Sequence, residues 1–469
     1  MSWWLLLLAV IVAVLTVALV FYLVVLFEVE DEKKDTWFPR IIIVLSLSFA
    51  CYNVLLLPYD VANVRNSPYN PGGDIDVTLM WMIILIVMFI FCFLVCPFAM
   101  VYYESMDPEH RTIWQQVKLS VIVTTIVVVV FLFLFFLCWG TSGFASIAYA
   151  EYQLLGNPAS SFSTVTEFSV TSRNATLRFR VSLFAYFVAL TCVIGWILFF
   201  LFGGVGLAAM PIDYIMLFRN RPKPITAAEY AIRRAEIAQE SQRLIENGKK
   251  IEEKEHVGHF GRKHREKVLA FKQQVRELES YYSWVETSYR EKGGEVMKGY
   301  LYLFLGIVFA SMSFLWLLQM IIHNMAHAHP FLNNMFRGLD KGFMLFGVLA
   351  YGCFSFYLLW CVVKGCIKIG GNLVLFQIYP MEPSGTFMNA FLFNAMLIML
   401  TSMSVIQFCT VSFSEYAANT NISAMFTVYV ANMQAIKYVV VYLQYPLLVI
   451  ACLSIAWLLI CPRRCVNDD

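Results

Sequence analysis

Runs of twenty or more nearly uncharged residues recur along this chain, separated by shorter polar intervals. Stretches such as Val127-Val128-Val129-Val130-Phe131-Leu132-Phe133-Leu134 lack the polar–apolar alternation of a membrane-spanning strand, so the runs read as helices. A helix rising 1.5 Å per residue needs about 20 apolar residues to cross a hydrocarbon core of about 30 Å. By that measure the pattern predicts nine transmembrane helices, at about 3–27, 39–59, 77–102, 117–139, 181–209, 299–322, 342–364, 387–410 and 438–461. The expected fold is therefore an all-α polytopic membrane protein. The first run has no basic segment before it, exceeds the apolar core of a signal peptide and ends at Glu28 without a small-residue cleavage pattern, so it is expected to remain as a span.

One interval, about 211–298, has a different period. Pro222 and Pro224 interrupt the chain, Thr226-x-x-Glu229 is a capping box, and Tyr230, Ile237, Leu244 and Ile251 recur every seven residues. Beyond Gly258 and Gly261, Val268, Val275, Tyr282 and Tyr289 occupy one heptad position, and Phe271, Leu278 and Val285 occupy another. Two such helices with a short connection predict an antiparallel coiled-coil hairpin. The chain then divides into 1–210 (spans one to five), 211–298 (the hairpin) and 299–469 (spans six to nine with a short tail). The apolar seam of Val268, Phe271, Val275, Leu278 and Tyr282 is a candidate partner-binding surface for a cytosolic or membrane protein, or a homodimer contact; the plainer reading is a structural arm.

Composition narrows the function classes. The 469 residues are 60% hydrophobic and 14% charged, with mean hydropathy +0.68, whereas soluble domains are about 45–50% apolar and about 25% charged. A soluble enzyme is excluded, and the lipid bilayer is the first partner. A net charge of +2 gives no global basic field, which argues against nucleic acid. Outside the hairpin interval, its side of the membrane carries nine Lys and Arg against seven opposite, too small a bias to set orientation. The two N-glycosylation sequons, at Asn174 and Asn421, both fall opposite the hairpin. Together with the basic, Cys-free hairpin they favour a cytosolic hairpin and C-terminus, in the plasma membrane or an endolysosomal membrane.

Ten of the twelve cysteines lie within or at the edge of spans, so neither a disulfide framework nor a metal pair at Cys92 and Cys96 is expected. Cys461 and Cys465 flank Pro462-Arg463-Arg464 and are candidates for S-palmitoylation. Asp60, Glu104 and Asp213 lie near prolines at span ends and are candidate buried polar residues, since ionisable groups at such depth face a cavity, a partner or headgroups. Gly203, Gly204 and Gly206 permit close helix contact or a broken helix, while Lys364 and Lys368 are expected to snorkel to headgroups. There is no HExxH, P-loop or GxSxG motif, and no catalytic role, cofactor or metal site is expected.

Several segments in order carry a family resemblance. They are Leu57-Pro58-Tyr59-Asp60-Val61-Ala62-Asn63, Pro97-Phe98-Ala99-Met100 leading to Tyr103-Glu104, Gly203-Gly204-Val205-Gly206 before Pro211, Arg221-Pro222-Lys223, Phe391-Leu392-Phe393-Asn394 and Ser404-Val405-Ile406-Gln407-Phe408-Cys409. Over nearly the whole chain they resemble the limb-region-1-like family, which includes the lipocalin-interacting membrane receptor (LIMR) and the lysosomal cobalamin transport escort protein. The pattern most resembles the plant and protist LIMR branch, and the interval before the last span is shorter than in the cobalamin-associated branch. The resemblance implies a non-enzymatic receptor or trafficking scaffold for lipocalin-like or cobalamin-related cargo; the alternative is a small-molecule, cobalamin-like transporter.

Overall fold

The computed structural model describes the chain except residues 1–2, 29–36, 67–75, 106–112, 156–168, 257–261, 291, 293–295, 344, 370, 373–376, 379–385, 387, 434–435 and 461–469. Among the described residues, eight helices are long and apolar enough to cross a membrane: α1 (Trp3–Phe27), α2 (Trp37–Asn66), α3 (Val77–Glu104), α4 (Ile113–Ser142), α5 (Leu183–Arg219), α8 (Val296–Met325), α10 (Phe346–Ile369) and α11 (Met388–Ser412). The hairpin supplies α6 (Ala227–His256) and α7 (Arg262–Arg290). The short helices are α9 (Phe331–Gly342), α12 (Asn421–Val430), α13 (Ile436–Tyr442) and α14 (Gln444–Ile460).

The ninth expected span is present as two pieces. Helix α13 stops at Tyr442 and the 17-residue α14 begins at Gln444. Pro446 lies two residues into the second piece and has no N–H to offer the Tyr442 carbonyl, which accounts for the break at Leu443. A proline also accounts for the π turn over Phe91–Val95 inside α3. Pro97 cannot donate to Phe93, and the Cys96 amide instead reaches back five residues to the Phe91 carbonyl.

The bundle buries polar side chains within a largely apolar core. Helix α11 sits at its centre with Thr401, Ser402, Ser404, Gln407, Thr410 and Ser412 all buried. Peripheral α4 turns Gln116, Ser120 and Thr124 inward while Val129, Phe133 and Phe136 face out. Lipid tails are as apolar as these outer side chains, so hydrophobic burial does not select the inner face; hydrogen bonds and close packing do.

Packing is tightest where glycines let backbones touch. Helix α5 runs 37 residues, about 55 Å at 1.5 Å per residue, and reaches past both faces of a hydrocarbon core. A Cβ on Gly206 would overlap the Cys361 carbonyl of α10, and one on Gly365 of α10 would overlap the Phe202 carbonyl of α5. Gly195 faces the Leu400 carbonyl of α11 in the same way. The glycines of the fifth span thus serve close contact within an unbroken helix.

An unforeseen β-hairpin caps the end where α5 begins. Strands β1 (Phe144–Leu155) and β2 (Ser169–Arg180) pair antiparallel, from Phe144 opposite Arg180 to Leu155 opposite Ser169. The Ser146 amide bonds the Asn432 carbonyl, and the Val181 amide bonds that of Gly143, which tie the hairpin to the bundle.

Candidate functional site

The deepest carboxylate belongs to Asp60, fully buried near the end of α2. Its Oδ2 accepts the indole N–H of Trp81 at 3.1 Å and the Ile422 amide at 3.4 Å. The second donor lies in the first turn of α12, so the carboxylate sits where the helix dipole and unpaired N–H groups favour an anion. Oδ1 has no protein donor within reach. Two residues earlier, Pro58 packs against α10, where a Cβ on Gly352 would lie 3.2 Å from the proline ring.

From this point polar side chains continue into the bundle along α11. Asn53 Nδ2 donates to Ser402 Oγ at 3.3 Å, Ser404 Oγ to the Cys192 carbonyl at 2.8 Å, and Trp196 Nε1 to Gln407 Oε1 at 3.0 Å. At the end of α11, the Ser412 carbonyl accepts from Gln319 at 2.9 Å and from Asn333 at 3.3 Å. Most of the row is satisfied, as buried polar groups in a bundle must be. Asn53 Oδ1 and Gln407 Nε2 join Asp60 Oδ1 as buried atoms without a protein partner.

At the other end of α5, Asp213 is paired twice. Lys364 Nζ lies 2.8 Å from Oδ2 and Lys368 Nζ 2.5 Å from Oδ1, both from α10. The two lysines therefore turn inward onto a carboxylate, against the expectation that they snorkel. Glu104 corrects a second expectation, because it is exposed at the last turn of α3. Pro97 lies seven residues earlier, and proximity to a proline did not indicate depth.

The polar insert forms two packed antiparallel helices. Thr226 Oγ1 accepts the Glu229 amide at 3.3 Å to start α6, and Glu229 pairs with Arg233 one turn on at 2.8 Å. Tyr230 stacks on Tyr289 with ring centroids 4.2 Å apart, and Gly248 abuts Phe271, two contacts that share one antiparallel register. Ile237, Leu244 and Val285 are buried; Val268, Phe271, Val275 and Leu278 are half-buried, and Tyr282 lies off the seam at 40% exposure. Trp284 Nε1 bonds the Asn220 carbonyl at 3.3 Å, and the Ile225 amide bonds the Ser288 carbonyl, fixing the base of the hairpin to the end of α5.

The sequons sit at the opposite end of α5 from this insert. Asn174 is exposed on β2, whereas Asn421 is half-buried, with Ile422 and Ser423 of its sequon buried. Cys461 and Cys465 lie outside the described residues. Among the described residues no group of His, Cys, Asp and Glu is arranged to hold a metal, and the ten described cysteines are free thiols.

These features define a polytopic helical membrane protein with a polar two-helix insert after its fifth span. The sequence profile of the LMBR1-like membrane proteins matches residues 5–293, and the chain belongs to that family. A LIMR family protein of Dictyostelium discoideum is 32% identical over 97% of this chain and 97% of its own length. LIMR family proteins of Arabidopsis thaliana and Oryza sativa subsp. japonica are 34% and 31% identical over 92% and 95% of this chain, and 91% and 94% of their own. No solved structure matches the chain.

Proposed function

We propose that the protein is a multi-pass receptor or trafficking scaffold whose two-helix insert, a coiled-coil hairpin facing the cytosol, engages a protein partner. The observation that carries this reading is the attachment of the hairpin's base to the end of α5. Trp284 and Ser288 bind the α5 end and its outgoing loop, and α5 itself crosses the bundle to the sequon-bearing face. An event at one face thus has a single helix through which to reach a docking platform on the other. The relatives are named LIMR family proteins, and the receptor role rests on the resemblance of the chain's motifs to that family. Lipocalin-like or cobalamin-related molecules are the proposed cargo, and a second copy of the chain is an alternative partner at the hairpin.

A photo-crosslinking amino acid at exposed Tyr282 or Tyr289, in the full chain in cells, tests the reading. Capture of one discrete partner from these positions, lost when Leu278→Asp disrupts the seam, is the expected result. Crosslinks only within the chain, or a partner captured equally from both, would contradict it.

A second reading, a small-molecule transporter, is supported by the buried polar row with its unpartnered Asp60, Asn53 and Gln407 atoms. Uptake of a cobalamin-like solute by proteoliposomes of the purified chain, abolished by Asp60→Asn, would establish that reading instead.

A further inference from the structure

A cavity of about 510 Å3 opens between α3, the end of β2, the start of α5 and α12, at the sequon-bearing end of the bundle. Small-molecule sites span about 300–1,000 Å3, so the volume is that of a binding site and not a packing fault. Its walls are apolar, with Trp81, Leu85, Phe184 and Met425 among them. Met82 lies on the lining and is 45% exposed, so the cavity is open on its α3 side.

The polar groups gather at one place, where β2 passes into α5. Arg180 and Ser182 come from that junction and Asn421 from the facing turn. The Arg180 guanidinium is held 3.8 Å above the Trp139 ring and has no carboxylate partner among the described residues. The Asp60 carboxylate is fully buried and engaged by the Trp81 indole N–H. Asp76, just ahead of α3, is tied to the Leu79 amide of its own helix start. An apolar chamber open on one side, with exposed Arg180 as the one cation of its lining, suits an amphipathic anion.

We propose that this cavity binds a single acyl chain bearing an anionic head, the chain lying against Trp81, Leu85 and Phe184 and the head on Arg180. The inference is independent of the hairpin reading, because it concerns other residues at the other end of α5. A fatty carboxylate and a lysophosphate share this chemistry, and competition separates them.

The test uses the purified full chain in nanodiscs of zwitterionic phosphatidylcholine, with tritiated oleate as the probe. Saturable binding of one oleate per chain is expected, with uncharged methyl oleate competing at least about tenfold more weakly, the factor that one charge-assisted contact of about 1.4 kcal/mol supplies. Arg180→Gln should weaken oleate by a similar factor, Arg180→Lys should retain most of the affinity, and Ala185→Phe, which fills the chamber, should remove it. Lysophosphatidate competing more tightly than oleate assigns the phosphate head, and the reverse assigns the carboxylate. Non-saturable uptake, methyl oleate competing as well as oleate, or unchanged affinity in a natively eluting Arg180→Gln would overturn the proposal. If Arg180→Gln does not elute natively, the ester competition on the wild-type chain decides alone.

Discussion

Replacing Asp213 by Asn strips the charge from a carboxylate that two lysines share. The three side chains are 21%, 29% and 19% exposed for Asp213, Lys364 and Lys368, so water reaches them only in part. Removing one partner of a buried ion pair costs about 3–5 kcal/mol, because the remaining charge is left unpaired. Discounting for the fifth to third of each group that is solvated brings the expected loss to about 2–3 kcal/mol. That shifts the folded-to-unfolded ratio by about thirtyfold to 150-fold. Unfolding in mixed micelles with rising sodium dodecyl sulfate measures it. The double variant Asp213→Asn with Lys368→Met should recover part of the loss, since it removes one of the two stranded cations. A single variant within about 0.5 kcal/mol of wild type, the range of an inconsequential surface change, would refute the argument. So would strict additivity in the double variant.

Three further outcomes are expected. Gly206→Leu should block assembly of α5 on α10, since even a Cβ there overlaps the Cys361 carbonyl; the cost should exceed the about 1–3 kcal/mol typical of overpacking and appear as lost expression of monodisperse protein. Leu278→Asp places a charge in the half-buried hairpin seam, and amide exchange over 227–290 should accelerate while the spans stay protected. Asn174→Gln should abolish an endoglycosidase-sensitive mobility shift, because Asn174 is exposed while the Asn421 sequon is largely buried.

The spans were legible because crossing lipid demands length and apolarity together, and both are read directly from one dimension. The hairpin was legible for a similar reason, its seam being a local repeat that α6 and α7 satisfy with one register. The β-hairpin was not, because Ala175, Leu177 and Phe179 alternate over too few residues to stand out between spans, and its pairing with β1 is a property of two segments together. Nor did sequence bring Asp213 to Lys364 and Lys368, which lie some 150 positions away. Snorkelling is the sensible expectation for a span-end lysine until a carboxylate on another helix is placed opposite it. Asp60 stands out in the sequence as a carboxylate at a span end, yet its partners Trp81 and Ile422 come from elements that only the fold assembles. The central place of α11 was hidden because Ser and Thr among apolar residues still leave a helix apolar enough to span, and only the fold shows that it is buried on all sides.

Under the proposed function the hairpin, and not the buried carboxylate, carries the protein's role. In cells lacking the native protein, a chain with residues 227–290 replaced by a flexible linker should insert normally and fail to restore function, whereas Asp60→Asn at matched expression should restore it. Rescue by the hairpin-deleted chain, with loss of function and of solute flux in Asp60→Asn, would contradict the claim and assign the role to the interior of the bundle.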